Sequence, residues 1–419
     1  GYKQVATNNL LRRPNMSTSI LYHGWGMIGY NYQTTRYEAG SMVFVLQPKK
    51  KNVCCPNCGR LDVIFRGTKT RQFRTLPIGK KRVFIETDVQ RVECIVCDLV
   101  RQSPLNFADP KVTYTRQLEW YILDLLGSMT IQDVALHLQM SWDSIKEILK
   151  RDLRKRFSRP KLRHMKRLAI DEIAIFKGHR YLTVVMDLDS GCVVFVGDGK
   201  GADALDPFWV RLARSGAKIE AIAIDMSPAY IEAVTTNLPH AAIVFDHFHV
   251  VKMFNEKLSV LRREIFRELA DDAQKAVLKG TRWLLLKNPE NLEPDKNEKE
   301  RLDAALSINR PLSIAYYLKE DLRQIWSQKN EAKAGKCIDA WIGKANASEI
   351  PILEKFAKTL ENHRYGILAY YRHPISTGPL EGMNNKIKTM KRQAYGFRDT
   401  EFFKLRILAI HEAKHVFVG

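Results

Sequence analysis

The chain has 419 residues, and its 45% of hydrophobic and 27% of charged side chains provide enough apolar material for two or three globular domains, which excludes a generally disordered protein. Its net charge of +21 favours a polyanion as partner, because a basic surface gains affinity by releasing counterions from phosphates; a merely solvated, charged surface is the alternative. The longest apolar runs fall well short of the roughly 20 residues of a membrane helix, so we expect no membrane partner.

The N-terminal segment comprises residues 1–49. Residues 1–15 have no periodic pattern and precede Met16, so we interpret them as a leader or tag and leave them out of the fold. The remainder mixes aromatic residues with glycine and ends in an apolar run at residues 42–46 that predicts a strand. We therefore expect a short strand-containing segment.

A candidate zinc-binding module follows at residues 50–108. Two CxxC knuckles contain the four candidate ligands Cys55, Cys58, Cys94 and Cys97. Four thiolates from two knuckles can close a tetrahedral structural zinc site, which would hold together a basic module with too few apolar residues for a core of its own. Cys54 competes with Cys55, but only Cys55 has the two-residue spacing. Four unrelated buried cysteines are the alternative.

Residues 109–160 carry the pattern of a helix-turn-helix DNA-binding domain. Apolar residues recur at helical spacing, and Thr130 and Ser141 stand at the N-cap positions of the second and third helices. About half of the chain's excess positive charge lies between residues 50 and 163, where 23 Lys and Arg residues stand against 12 Asp and Glu residues. Any three-helix packing unit shows the same periodicity, but the charge and the adjoining zinc module favour DNA binding. The candidate DNA contacts in this domain are Ser141, Trp142, Ser144, Lys146, Arg151, Arg154, Lys155 and Arg156.

The rest of the chain begins with alternating strands and helices. Three antiparallel strands, then helix, strand, helix and strand, are the order of an RNase H-like core. We predict a multidomain α/β protein whose RNase H-like catalytic core has its first part at residues 161–251 and its last part, with C-terminal helices, at residues 372–419. The polar, lysine-rich residues 252–371 are predicted to form an all-helical insertion domain. Its packing anchors are expected to be Trp283, Trp326 and Trp341.

Three acidic residues are candidate ligands of catalytic metal ions. Asp171 and Asp225 each end a predicted apolar strand, and these two strands are neighbours in an RNase H-like sheet, which would bring the carboxylates together. Glu381 is the third candidate and lies in a predicted helix. Such carboxylates suit two-metal phosphoryl transfer, because Mg²⁺ prefers oxygen ligands and two ions must bracket one phosphate. For each aspartate taken singly, capping of the following helix is the alternative.

Other polar residues surround these acids. Asp246 and His249 close the fifth predicted strand and could orient one another near the active site; a core histidine with satisfied hydrogen bonds is the alternative. Glu172 is expected to point to the face of the sheet opposite Asp171. The helix that contains Glu381 also contains the candidate DNA contacts Asn384, Asn385, Lys388, Lys391 and Arg392.

A family resemblance rests on several short strings. These are the two CxxC knuckles, Ile170-Asp171-Glu172, Ile224-Asp225-Met226, Phe245-Asp246-His247-Phe248-His249-Val250, Leu284-Leu285-Leu286-Lys287-Asn288 and Leu380-Glu381-Gly382-x-Asn384-Asn385-Lys386-Ile387-Lys388. With these strings the chain resembles the ISL-three (ISL3) family of bacterial insertion-sequence transposases. The resemblance implies a DDE catalytic triad at Asp171, Asp225 and Glu381, and a D-x-x-H signature at Asp246 and His249.

We therefore expect a DNA transposase that binds the terminal inverted repeats of an insertion sequence and catalyses metal-dependent strand cleavage and strand transfer. There are two alternatives. One is a non-catalytic DNA-binding regulator derived from a transposase, and the other is an RNase H-like nuclease or resolvase. The expected cofactors are Mg²⁺ or Mn²⁺ at the catalytic site and a structural Zn²⁺. The expected partners are double-stranded DNA and further copies of the chain, as a homodimer or higher assembly on DNA. We expect a cytoplasmic, nucleoid-associated bacterial protein.

Overall fold

The computed structural model of the protein describes residues 20–49, 53–176 and 180–412, so the expected leader at residues 1–15 lies outside the described part. The described residues divide into two compact units, one up to Asp152 and the other from Leu153 onwards. The division falls inside the third helix of the expected helix-turn-helix.

The first unit begins with one short helix and five strands: α1 (Ile20–Trp25), β1 (Tyr30–Glu38), β2 (Ser41–Pro48), β3 (Ile64–Ile78), β4 (Lys81–Cys94) and β5 (Leu99–Gln102). The strands form one sheet in the order β1–β2–β4–β3, with β5 paired to β4. The segment expected at residues 1–49 and the zinc-binding module therefore share a sheet, which corrects the expected boundary between them. The physical reason is a common core, in which Leu46 from β2 packs with Val83 and Ile85 from β4.

Three helices complete the first unit: α2 (Arg116–Leu125), α3 (Ile131–Leu138) and α4 (Trp142–Phe157). The helix α3 begins with the expected cap, because the Thr130 side chain accepts a hydrogen bond from the Asp133 backbone and Asp133 in turn accepts one from the Thr130 backbone. Ser141 caps α4 by accepting from the Ser144 backbone at 3.2 Å. Leu118, Ile122, Val134, Leu138 and Ile145 bury the shared core of the three helices, as their helical spacing predicts.

The second unit contains a second sheet of five strands: β6 (Arg167–Phe176), β7 (Arg180–Asp187), β8 (Val193–Asp198), β9 (Ala221–Ile224) and β10 (Ala242–Phe245). Their order is β10–β9–β6–β7–β8; β6, β7 and β8 are antiparallel neighbours, whereas β6, β9 and β10 are parallel. Two crossover helices, α5 (Asp206–Ser215) and α6 (Pro228–Asn237), precede β9 and β10. This arrangement confirms the predicted RNase H-like core.

The insertion is all-helical, as predicted, and its helices are α7 (His247–Glu268), α8 (Asp272–Leu278), α9 (Arg282–Leu286), α10 (Glu298–Ile308), α11 (Arg310–Arg323), α12 (Glu331–Asn346), α13 (Pro351–Asn362) and α14 (Arg364–Leu368). The helix α7 begins directly after β10, five residues before the expected start of the insertion. Its buried residues Val250, Phe254 and Leu258 belong to the same hydrophobic core as the sheet residues Ile170 and Ile224. The insertion therefore packs on the catalytic core as one body.

Only one of the three expected tryptophan anchors is fully buried. Trp341 packs against the rings of Phe254 and Phe356, each with its centroid 5.6 Å away, and its indole N–H donates to the Leu318 carbonyl at 2.7 Å. Trp326 packs partly buried against this core. The expectation for Trp283 was wrong, since its side chain is 65% exposed. Its helix α9 buries its other face through the leucines that follow.

Two closing helices, α15 (Gly378–Gln393) and α16 (Thr400–Leu408), end the described part of the chain. Leu380, Met383, Ile387 and Met390 form the apolar stripe of α15, which packs beside β6. Among the described residues, no helix combines the length and the apolar composition needed to cross a bilayer.

Candidate functional site

The four cysteines of the two knuckles come together in the first unit. Their sulfur atoms all lie within 4.8 Å of one another, and the sulfurs of Cys58 and Cys94 are 3.6 Å apart. Cys55 and Cys94 are each only 1% exposed, and Cys94 is the last residue of β4. Four converging thiols without other metal-binding side chains are the donor set of a closed tetrahedral zinc site. The cluster thus fits the expected structural zinc.

Backbone groups of the first knuckle favour the thiolate form that zinc requires. The backbone N–H groups of Cys58 and Asn57 lower the pKa of Cys55 from its ordinary value to about 7. The Asn57 amide also donates to the sulfur of Cys97 at 3.4 Å, which links the two knuckles. Cys54 is outside the cluster, and its backbone N–H donates to Ser103 instead. The cysteine with the two-residue spacing, Cys55, is therefore the one that joins the cluster.

In the second unit, Asp171 lies in β6 and Asp225 directly follows β9, the parallel neighbour of β6. The last paired residues of the two strands, Ala169 and Ala223, stand two positions before these acids, and the charge of Asp225 acts on the carboxylate of Asp171. Asp171 does not end its strand, as the sequence suggested, because Ile173 and other residues continue the antiparallel pairing of β6 with β7. Asp225 follows β9 directly, and its carboxylate accepts a hydrogen bond from the Ser227 backbone at 3.0 Å, in the turn that precedes α6.

The helix α15 places its polar residues beside Asp171. The side-chain amide of Asn384 donates a hydrogen bond to Asp171 Oδ2 at 2.8 Å. Glu381 lies one turn earlier on the same helix and is exposed, as are Asn385 and Lys388. Glu381 is thereby brought to the Asp171 side of the sheet. Asn384 is only 4% exposed, so the expectation that it contacts DNA is corrected: its amide is buried against Asp171.

Asp171 and Asp225 lie within electrostatic range of one another, but the three carboxylates do not form a compact cluster. Among the described residues, the four cysteines are the one group of three or more potential metal ligands whose donor atoms all lie within 4.8 Å of one another. Burial raises the pKa of Asp171, and the nearby charge of Asp225 raises it further. Burial and the neighbouring charge thus disfavour the charged form of Asp171. A bound cation would oppose this effect, since a cation favours the charged form of a carboxylate.

Asp246 and His249 form the pair that the sequence suggested. Asp246 is 1% exposed, and its Oδ2 lies 3.1 Å from Nδ1 of His249. The hydrogen bond to Asp246 raises the pKa of His249, and the charges of Asp171 and Asp225 raise it further, so the imidazole lies within electrostatic range of both acids. Burial opposes ionisation of Asp246, but the hydrogen bonds from His249 and Thr377 together with the nearby histidines outweigh it, and the pKa of Asp246 is lowered.

Glu172 faces away from this group, as expected from its place beside Asp171 on a strand. Its carboxylate accepts a hydrogen bond from the buried Tyr230 hydroxyl at 2.7 Å, and that hydroxyl also contacts Thr183 at 3.2 Å. The two adjacent acids of β6 therefore belong to different faces of the sheet. Only Asp171 shares a face with the residues on α15.

The candidate DNA contacts on α4 differ in how accessible they are. Ser141 and Trp142 are exposed at the start of the helix, and the Lys146 ammonium lies 5.8 Å from the Trp142 ring. Arg151 is held by an ion pair with Glu119 and is partly buried.

Further along α4, the basic residues are exposed. Arg154 pairs with Glu401 at 2.6 Å, and Arg156 pairs with Glu412. Lys155, which stands between the two arginines in the sequence, is exposed. These ion pairs engage the guanidinium groups that the sequence predicts to contact DNA phosphates. Surface pairs of this kind are weak, so they do not exclude an exchange for phosphate.

Comparison with known families and proteins gives matches along most of the chain. The ISL3 family model described as "Transposase" matches residues 168–407, the model of the zinc-finger of transposase IS204/IS1001/IS1096/IS1165 matches residues 51–97, and the helix-turn-helix domain model of transposase family ISL3 matches residues 103–153. Together these matches follow the order of zinc module, helix-turn-helix and catalytic core described above.

Two curated relatives are similar over most of their length. The transposase for insertion sequence element IS1001 of Bordetella parapertussis is 36% identical over 390 residues, which are 92% of this chain and 96% of that protein. The transposase for insertion sequence element IS1557 of Mycobacterium tuberculosis is 30% identical over 378 residues, 83% of each chain.

Among solved structures, the Drosophila P element transposase strand transfer complex is 12% identical, with a TM-score of 0.31 over 64% of this chain and 82% of that one. The HTLV-2 integrase catalytic core domain with magnesium is 18% identical, with a TM-score of 0.17 over 34% of this chain and 86% of that one.

Proposed function

The chain belongs to the ISL3 family of transposases and is a DNA transposase, and we propose that Asp171, Asp225 and Glu381 are the triad with which it cleaves and joins DNA. The single observation that carries this proposal is the convergence of two other chain segments on Asp171: the charge of Asp225, which follows the neighbouring strand β9, acts on its carboxylate, and Asn384, one turn from Glu381 on α15, donates a hydrogen bond to it.

The residues present fit two Mg²⁺ or Mn²⁺ ions. Carboxylate oxygens from three chain segments are the hard donors that these ions prefer, and the charged form of Asp171, which burial and then the charge of Asp225 disfavour, would be stabilised by a cation. When bound, such ions activate a water or a 3′-hydroxyl for in-line attack on phosphate and stabilise the leaving oxygen. We assign Asp171, Asp225 and Glu381 as the residues that hold them.

The other residues of the site orient this triad and its substrate. Asp246 holds His249 by its Nδ1 atom, and a protonated His249 offsets the repulsion between Asp171 and Asp225. The exposed polar face of α15 extends from Glu381, and we propose that it contacts the phosphates that flank the reacting bond. The residues of this face are Asn385, Lys388, Lys391 and Arg392.

The N-terminal zinc-binding and helix-turn-helix domains select the DNA. The zinc-binding and helix-turn-helix domains bind DNA, and we propose that they recognise the terminal inverted repeats of the element, with Trp142 and Ser144 at the start of the reading helix. Because two element ends must be brought together, we propose a homodimer or higher assembly on DNA. Sedimentation of the protein alone and with end DNA tests this assembly state.

A strand-transfer assay with labelled element ends tests the function. The wild-type protein with Mg²⁺ or Mn²⁺ is expected to nick the ends and join them to a target, whereas Asp225→Asn binds the ends without cutting. Binding without cutting by the wild type supports a regulator instead, and cutting without joining supports a nuclease. The matched control is Glu172→Gln, which changes an acid beside Asp171 that faces Tyr230.

A further inference from the structure

Asn384 stands out among the residues of α15, because it is polar and nearly fully buried. The other buried positions of this helix are all apolar, namely Leu380, Met383, Ile387 and Met390. Asn384 occupies the same stripe and is 4% exposed. Its amide nitrogen donates to Asp171 Oδ2 at 2.8 Å, and this bond joins α15 to the central strand β6.

The direction of this hydrogen bond follows from the chemistry of the two groups. An ionised carboxylate only accepts hydrogen bonds, so the amide must present its nitrogen to Asp171 and its oxygen elsewhere. The oxygen of Asn384 is buried, and no hydrogen-bond partner for it is found among the described residues. A carbonyl oxygen without a partner therefore lies beside the carboxylate of Asp171.

A role in packing alone does not explain this residue. A buried polar atom without a partner is destabilising, and an apolar side chain of similar volume would complete the stripe of α15 without that cost. Leucine or methionine would fill the position as they do at Leu380 and Met383. The polar side chain is therefore retained for its effect on Asp171.

We propose that Asn384 is a positioning residue, which holds the carboxylate of Asp171 in one orientation and sets its spacing from Glu381 one turn earlier on α15. This inference rests on the proposed function, because it assigns Asn384 to the metal site formed by Asp171, Asp225 and Glu381. The amide fixes one oxygen of Asp171, while the Glu172 backbone N–H donates to the other at 2.8 Å. Hydrogen bonds thus orient both carboxylate oxygens of Asp171 in the metal-free protein, so this ligand is preorganised for cation binding.

The test measures cation binding by the full-length protein without DNA. Asn384→Leu and Asn384→Ala are compared with the wild type by isothermal titration with Mn²⁺, and thermal melting checks that each variant is folded. Loss of a group that orients a metal ligand weakens metal affinity about tenfold or more, and this is the expected result for both variants. Gln393→Leu makes the same amide-to-leucine change at an exposed position at the end of α15 and is expected to leave Mn²⁺ affinity unchanged.

A second measurement separates positioning from a general loss of structure. The rate of DNA cleavage is measured against Mn²⁺ concentration, and Asn384→Leu is expected to need about tenfold more Mn²⁺ for half its maximal rate while recovering most of that rate at saturation. A folded Asn384→Leu with wild-type Mn²⁺ affinity would overturn the inference and leave the triad intact. Absence of Mn²⁺ binding in the wild type itself would overturn the proposed function and the inference together.

Discussion

Asp225 directly follows β9, the parallel neighbour of the strand that contains Asp171, and the last paired residues of these strands, Ala169 and Ala223, stand two positions before the two acids. The acids come near one another because the first and fourth strands of the core are adjacent in the sheet, although about fifty residues of chain separate them. The pKa of Asp171 is raised by burial and, further, by the charge of Asp225. Several experiments test the consequences.

Glu381→Gln is expected to abolish most DNA cleavage while leaving DNA binding unchanged. The substitution keeps the volume of the side chain and removes the charge that we assign to a metal ion. Metal ions contribute several kcal/mol to such reactions, so a loss of about a hundredfold or more in the cleavage rate is expected. Cleavage of labelled DNA and gel-shift binding are measured side by side. Cleavage at the wild-type rate would remove Glu381 from the triad.

Cys94→Ser is expected to release zinc and destabilise the first unit. Cys94 is buried at the end of β4 and its sulfur lies 3.6 Å from that of Cys58, so serine at this position leaves an incomplete donor set. Elemental analysis is expected to give one zinc per wild-type chain and much less in the variant, with a lower melting temperature. Cys54→Ser changes the adjacent thiol outside the cluster and is expected to keep the metal. Equal zinc content in both variants would contradict the assignment.

The pair of His249 and Asp246 predicts a pH dependence of stability in the metal-free protein. The folded-state pKa of His249 is raised above its ordinary value of 6.5. The protonated imidazole therefore contributes fully to the free energy of unfolding below pH 6.5, and this contribution is lost as the pH rises through the folded pKa. The pKa of Asp246 is lowered from 3.8, so the contribution of its carboxylate to the free energy of unfolding is lost only in more acidic solution. The stability difference between wild type and His249→Gln should thus be largest between these values.

The measurement for this pair is chemical denaturation across the pH range. His247→Gln is the control, because burial lowers the pKa of His247, and its protonation therefore opposes folding as the pH falls. The two variants should show opposite trends between neutral and mildly acidic pH. A stability difference for His249→Gln that does not change with pH would show that the ion pair contributes nothing.

Gly366→Ala is expected to destabilise the second unit. A Cβ atom at this position would lie 2.4 Å from two ring atoms of the buried Phe245, so the helix α14 or the ring must move, which costs about 1–3 kcal/mol. Gly343→Ala is the matched change in the helix α12, where nothing lies within 4 Å of the added atom. It is expected to stabilise the protein by up to about 1 kcal/mol. Urea denaturation measures both, and equal effects would contradict the packing described for Gly366.

Lys155→Ala is expected to weaken DNA binding about equally for element ends and unrelated sequences. Lys155 is exposed beyond the reading part of α4, where a phosphate contact carries no sequence information. Loss of one such contact lowers the slope of log affinity against log salt by about one. The control is Lys358→Ala, an exposed lysine of α13. An unchanged salt slope for Lys155→Ala would remove this residue from the DNA interface.

Much of the molecule follows from the sequence alone. The CxxC spacing selects Cys55 over Cys54, because a two-residue loop is what lets both sulfurs of a knuckle face one ion. The alternation of strands and helices predicts the order of the second sheet, and helical spacing with the Thr130 cap predicts α3. These are local patterns, and each is set by residues close together in the chain.

Other features were decided only by tertiary packing. The pairing of β2 with β4 joins regions that the sequence separates, and the buried position of Asn384 against Asp171 spans 213 residues of chain. Trp283 lies on the surface although its apolar neighbours are buried, since α9 packs through one face only. Local sequence patterns indicate which residues are candidates for a site. Which of these side chains come into contact depends on burial, strand register and the angle at which helices pack, and these are properties of the whole fold.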